Sequence, residues 1–173
     1  ANSDRMALMP GKTYRLASTG PLVFSAGAQV AGNGGVILLD YTDTSNNSQI
    51  DLTAGSRMDG VAVRWSSANY AERWIRLYDD AVFENGKVFA DSEQPVIAVD
   101  ESSDRTVLFA GPRAKFRGNE VRNIWAVARV SGDASAADCA FVGNRIYGYG
   151  KGIVAELGAS NTLIAGNIFF SKS

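Results

Sequence analysis

Asp51, Arg76, Asp100, Arg129 and Glu156 recur at intervals of 25, 24, 29 and 27 residues (76−51, 100−76, 129−100, 156−129), each in or beside a short apolar run. Charge alternates along the series. If each interval is one layer of a stacked structure, opposite charges are neighbours and like charges lie two layers apart. Two carboxylates two strand spacings apart are roughly 9.6 Å apart at the backbone, near the separation of about 6.5–9.5 Å used by inverting glycosidases. Asp100 and Glu156 form such a pair across Arg129, and Asp51 and Asp100 form another across Arg76. The candidate catalytic set is therefore Asp100, Arg129 and Glu156. Asp51, Arg76, Tyr78 and Trp125 are the candidate substrate-binding residues. An arginine between carboxylates lowers both of their pKa values, which opposes a general-acid role. Alternating charge on a sheet is also what solubility and cross-strand pairing produce.

Other chemistries are excluded by residue type. The chain has no histidine, so a Ser-His-Asp or Cys-His mechanism is ruled out and a Cys/His zinc site has no histidine ligand. Cys139 is the single cysteine, so it forms no internal disulfide. Net charge is −1 with Lys and Arg scattered singly, which argues against a nucleic-acid partner. No apolar run is long enough to cross a bilayer as a helix. No cofactor is expected. "DES" at Asp100 and "DAS" at Asp133 read as loop tips without the acidic density of a calcium site.

The elements that must position these residues are short strands. Ile153-Val154-Ala155-Glu156-Leu157, Ala126-Val127-Ala128-Arg129-Val130, Ile97-Ala98-Val99-Asp100 and Ile50-Asp51-Leu52 alternate with period two. Ile50, Leu52, Ile75, Leu77, Ile97, Val99, Ala126, Ala128, Ile153 and Ala155 are thereby assigned inward and the charged residues outward. A second repeat runs through Asn33, Asp59, Asn85, Asn119, Asn144 and Asn167, with steps of 26, 26, 34, 25 and 23 residues. A spacing in the twenties is the signature of a solenoid. The long step is assigned to an inserted loop at Gly111-Pro112-Arg113. Asn or Gly tolerates the left-handed region at a sharp corner, and stacked Asn amides hydrogen-bond from coil to coil. The six are expected to form one structural column in a parallel β-helix.

The segment "MPGKTYRLASTGPLVFSAGAQVAGNG" (9–34) resembles the opening coils of the pectate-lyase-like right-handed β-helix superfamily, and "GIVAELGASNTLIAGNIFF" (152–170) resembles its interior coils. The resemblance implies an all-β, right-handed parallel β-helix of about six coils over residues 1–173. It also implies a groove along one stack of parallel strands, here the stack carrying the charged series, and polysaccharide as the partner. Members include polysaccharide lyases, glycoside hydrolases, epimerases, tailspike depolymerases and non-catalytic proteins. A lyase reading has Arg129 neutralise a uronate while Tyr147, Tyr149 or Lys151 moves the proton. A hydrolase uses the carboxylate pairs, and a binding or structural module uses neither. Trp65, Trp74 and Trp125 are candidate platforms for sugar rings or, equally, packing residues. The expected setting is extracellular or on a virion surface. The chain is expected to be a segment of a longer protein whose ends are covered by further domains or by assembly as a homotrimer.

Overall fold

The computed structural model describes residues 4–17, 20–40, 50–65, 74–91, 106–124, 126–131, 136–147, 151–155 and 159–170. Twenty strands wind through them into three parallel sheets. The first sheet stacks β1 (Arg5–Ala7), β4 (Gln29–Ala31), β7 (Arg57–Asp59), β10 (Val82–Glu84), β13 (Lys115–Arg117), β16 (Ala140–Val142) and β19 (Leu163–Ala165). The second stacks β2 (Thr13–Leu16), β5 (Val36–Leu39), β8 (Ala62–Trp65), β11 (Lys87–Ala90), β14 (Glu120–Arg122), β17 (Arg145–Tyr147) and β20 (Ile168–Phe170). The third stacks β3 (Leu22–Phe24), β6 (Ile50–Leu52), β9 (Ile75–Leu77), β12 (Val107–Phe109), β15 (Ala126–Val130) and β18 (Lys151–Ala155). Each coil gives one strand to each sheet, so the described strands make six full coils and two strands of a seventh. This is the parallel β-helix that the repeat predicts.

Alternation builds the core. Val30, Met58, Phe83, Phe116 and Phe141 occupy one register column of the first sheet and point inward, all buried. The rings of Phe83 and Phe116, and of Phe116 and Phe141, stack with centroids 5.4 Å apart. Burying each Phe stabilises the fold by about 1.5–3 kcal/mol, and each stacked pair adds about 0.5–1.5 kcal/mol.

The corner between the first and second sheets divides its work between two residues. A left-handed residue turns the chain: Gly60, Asn85, Gly118, Gly143 and Gly166 have φ of 67°, 53°, 65°, 67° and 64°. The next residue fills the corner, and in the last three coils it is Asn119, Asn144 and Asn167. Their amides form a ladder. The Asn119 N–H donates to Asn144 Oδ1 (2.9 Å) and the Asn144 N–H to Asn167 Oδ1 (2.9 Å). Each Nδ2 also donates to a core strand one coil back, on Phe83, Phe116 and Phe141 respectively. The expected six-member column is corrected to these three. Asp59 ends β7, one residue before the corner glycine. Asn85 is itself the turning residue, and Asn33 sits in a wider turn with φ 46°. In the Gly-Asn pair the glycine turns the chain and the asparagine bonds from coil to coil.

The corner between the third and first sheets has its own left-handed column: Gly27, Gly55, Asp80, Arg113, Asp138 and Asn161. A small residue follows each of the first five, namely Ala28, Ser56, Ala81, Ala114 and Cys139, and all five are buried. Arg113 is thus a regular corner residue and not part of an insertion. The extra length of the 34-residue step lies between β11 and β12, over residues 91–106.

Candidate functional site

The third sheet carries the charged series. Ile50 and Leu52 are wholly buried in the core, so Asp51 between them points to the outer face. The same alternation places Ile75 and Leu77 inward and Arg76 outward, and Ala128 and Val130 inward with Arg129 outward. The register fixes the outer column as Val23, Asp51, Arg76, Leu108 and Arg129. Asp51 and Arg76 are neighbours, as the interval between them implies.

Two features of the expected column are corrected. The rung between Arg76 and Arg129 is Leu108, not Asp100, because the coil contributes Val107–Phe109 to this sheet in place of the expected Val96–Asp100. "VLF" is continuously apolar and shows no alternation, whereas "IAVD" alternates and drew the assignment. The residue in register with Arg129 on the following coil is Val154. Asp100, Glu156 and Trp125 lie outside the described residues. So do Tyr149 and the two loop tips at Asp133 and Asp100.

Asp51 is unusual for an outward-facing acid, being only 9% exposed. Its Oδ1 is buried with no hydrogen-bond partner, and the same holds for Nε of Arg76 on the next rung. No ion pair joins the two among the described residues. The Arg76 guanidinium lies instead over the ring of Tyr78, 4.8 Å from its centroid. One buried carboxylate oxygen and one buried guanidinium nitrogen, each lacking a hydrogen-bond partner, belong to residues on adjacent rungs. A folded chain ordinarily pairs such groups, since an unmet buried donor or acceptor costs about 1–3 kcal/mol and more when charged. Below Asp51, Val23 is 55% exposed, so the column is open on that side.

Charges elsewhere in the described residues are largely met. Glu84, 3% exposed on the first sheet, is bridged by Arg57 from one coil and by Arg117 (2.5 Å) from the other. On the second sheet Arg15 bonds Asp40 (2.6 Å) and Arg64 bonds Asp91 (2.6 and 2.9 Å), each reaching one coil ahead. Arg113 holds Asp80 through two bonds of 2.7 Å, and that hydrogen bonding draws the Asp80 carboxyl below its ordinary range. Sequence reasoning missed all four clusters. The Arg15–Asp40 and Arg64–Asp91 pairs had a signal in their separations of 25 and 27 residues, one coil each.

The aromatic candidates divide. Trp65 and Trp74 are packing residues, buried and stacked on one another at 5.5 Å. Tyr147 lies on the second sheet, around the corner from the charged column. It is sandwiched between the Arg122 guanidinium (4.5 Å) and the Phe170 ring (4.4 Å). Lys151 begins β18 on the third sheet. Among the described residues no three His, Cys, Asp or Glu side chains gather to hold a metal ion. No protein-family model matches the sequence, and no curated protein or solved structure matches it.

Proposed function

We propose that this β-helix binds an extracellular polysaccharide along the outer face of its third sheet. One observation carries the reading: Arg76 stands beside Asp51 on the outer column with its guanidinium laid over the Tyr78 ring, a cation and an aromatic face together on one surface. Polar groups on adjacent rungs, at the strand spacing of ~4.8 Å, can meet one or two neighbouring units of a polymer, and hydroxyls satisfy donors and acceptors alike. The resemblance to secreted and tailspike β-helices points the same way, toward an extracellular or virion-surface setting. Arg129, two rungs from Arg76, extends the surface.

Binding without cleavage is favoured by the column itself, in which Asp51 is the carboxylate among the described residues. A hydrolase reading rests on Asp100 and Glu156 joining Arg129, and a lyase reading on Tyr147, Tyr149 or Lys151 joining it. The test is a glycan array followed by affinity electrophoresis on the polysaccharides it selects, with new reducing ends assayed in parallel. Retention that weakens at least about tenfold in Arg76→Ala supports the reading, a loss of about 1.4 kcal/mol. Retention of no polysaccharide, or retention unchanged in Arg76→Ala, contradicts it. Reducing ends that appear with the wild type and vanish in Glu156→Gln would move the assignment to an enzyme.

A further inference from the structure

We infer that the outer face of the second sheet is a self-complementary surface on which two copies of this chain pair upside down. Ile37, Val63, Val88, Val121 and Ile146 are buried, so alternation turns their strand neighbours outward. One outward column reads Leu38, Arg64, Phe89, Arg122, Tyr147 and Phe170 in coil order. The column beside it has Val36 at one end, Lys87 and Glu120 at its centre and Ile168 at the other end. Ile168 and Phe170 are 48% and 42% exposed, and they point sideways from the stack. A two-fold axis lying along the strands, between β11 and β14, sets each column against itself in reverse order. Leu38 then meets Phe170 of the second copy, and Val36 meets Ile168. Arg64 meets Tyr147, Phe89 meets Arg122, and Lys87 meets Glu120. Lys87 makes no ion pair among the described residues. Glu120 holds Arg122 through Oε1 (2.6 Å), which leaves Oε2 for that lysine. Arg64 keeps Asp91 and Arg122 keeps Glu120, so neither arginine enters the contact unpaired. Their methylene stems pack on the facing rings.

The charges select this register. Moving the axis half a coil sets Lys87 on Lys87 and Arg64 on Arg122, or Glu120 on Glu120 and Arg122 on Arg122, and like charges face to face cost affinity. A whole-coil shift leaves one apolar end uncovered, either Val36 with Leu38 or Ile168 with Phe170. The matched face spans six coils, about 29 Å by about 10 Å. That is small for a specific interface, so the dimer is a weak one that forms with concentration. The third sheet stays open in it, and the inference stands or falls independently of the glycan-binding reading.

Sedimentation equilibrium of the full chain, from about 10 μM to about 1 mM as weak contacts require, should show a monomer passing to a dimer. Lys87→Glu sets glutamate opposite Glu120, and Glu120→Lys sets lysine opposite Lys87. Each variant alone should dimerise at least about tenfold more weakly. An equimolar mixture of the two restores a Glu–Lys match at both symmetric contacts, so a heterodimer should form with the affinity lost by each parent. Both substitutions fall on the surface, and circular dichroism should match the wild type. Phe170→Ser, at the apolar end, should weaken the dimer without touching the charges. A monomer at every concentration, a trimer, a dimer that these substitutions leave unchanged, or a mixture no tighter than its parts overturns the inference.

Discussion

Replacing Asn144 with alanine should remove the centre of the asparagine ladder, and the structure sets the size of the effect. Asn144 is fully buried. Its Oδ1 accepts from the Asn119 N–H and from Asn119 Nδ2 (2.9 and 3.2 Å). Its Nδ2 donates to the Phe116 carbonyl (3.1 Å) and to Asn167 Oδ1 (2.9 Å). Asn119 Nδ2 retains Phe83 as a partner, so its loss is small. The Phe116 carbonyl lies mid-strand in the ladder, so the group left without a replacement partner is the Asn119 N–H. One unmet buried group predicts a loss of about 1–3 kcal/mol. Urea titration followed by circular dichroism reads the total, and hydrogen exchange at the Asn119 amide reads the site itself. Asn85→Gly is the control. Asn85 holds the left-handed position that is glycine in neighbouring coils, and its amide bonds the exposed Asp59 (2.9 Å). That variant should stay within about 1 kcal/mol of the wild type. An Asn144→Ala variant within about 0.5 kcal/mol of the wild type, with Asn119 exchange unchanged, would refute the ladder as a source of stability.

Gly32→Ala should destabilise by roughly 3 kcal/mol or more, because the new Cβ would meet the Gly60 carbonyl oxygen 2.0 Å away, a backbone atom and not the end of a flexible side chain. Gly34→Ala, with open space around it and only its φ of 79° to oppose it, should cost about 1–2 kcal/mol; equal effects of the two in thermal melts would count against the packing argument. Burial pushes the Cys139 thiol up from its ordinary pKa, so iodoacetamide at neutral pH should label it slowly in the folded protein and rapidly in urea. Equal rates would show the site open. Arg113 holds Asp80 protonated only at unusually low pH, so any stability from this pair is present above the unfolded carboxyl value and lost as pH falls through the lowered folded one. An NMR titration of Asp80 should move upward in Arg113→Gln, and an unmoved midpoint would deny the pairing.

The fold was legible because a solenoid repeats its evidence. Alternation in Ile50–Leu52, Ala126–Val130 and Ile153–Ala155 placed those strands in one sheet, and "GN" at 118–119, 143–144 and 166–167 marked one corner three times. Register failed where the chemistry of a position changed from coil to coil. The corner that is Gly-Asn at 143–144 is Asn-Gly at 85–86, and aligning on asparagine alone shifted that coil by one residue. Leu108 was unreadable as an outward residue because all of "VLF" is apolar; nothing in the three letters tells which side faces out. Asp51, Arg76 and Arg129 were found by charge and period. What the sequence could not convey is that Asp51 is buried and unmet while Glu84, equally acidic, is bridged by two arginines. That distinction depends on which neighbours the coils bring within reach.

The central claim is that glycan lies on the outer face of the third sheet, and amide chemical-shift mapping during titration with the array-selected glycan tests it most directly. The account predicts that the largest shifts fall at Asp51, Arg76 and Tyr78, with Arg129 following, while Arg57, Glu84 and Arg117 on the first sheet and Arg64 and Arg122 on the second stay in place. Shifts centred on the first or second sheet, with Asp51 and Arg76 unmoved, would contradict it.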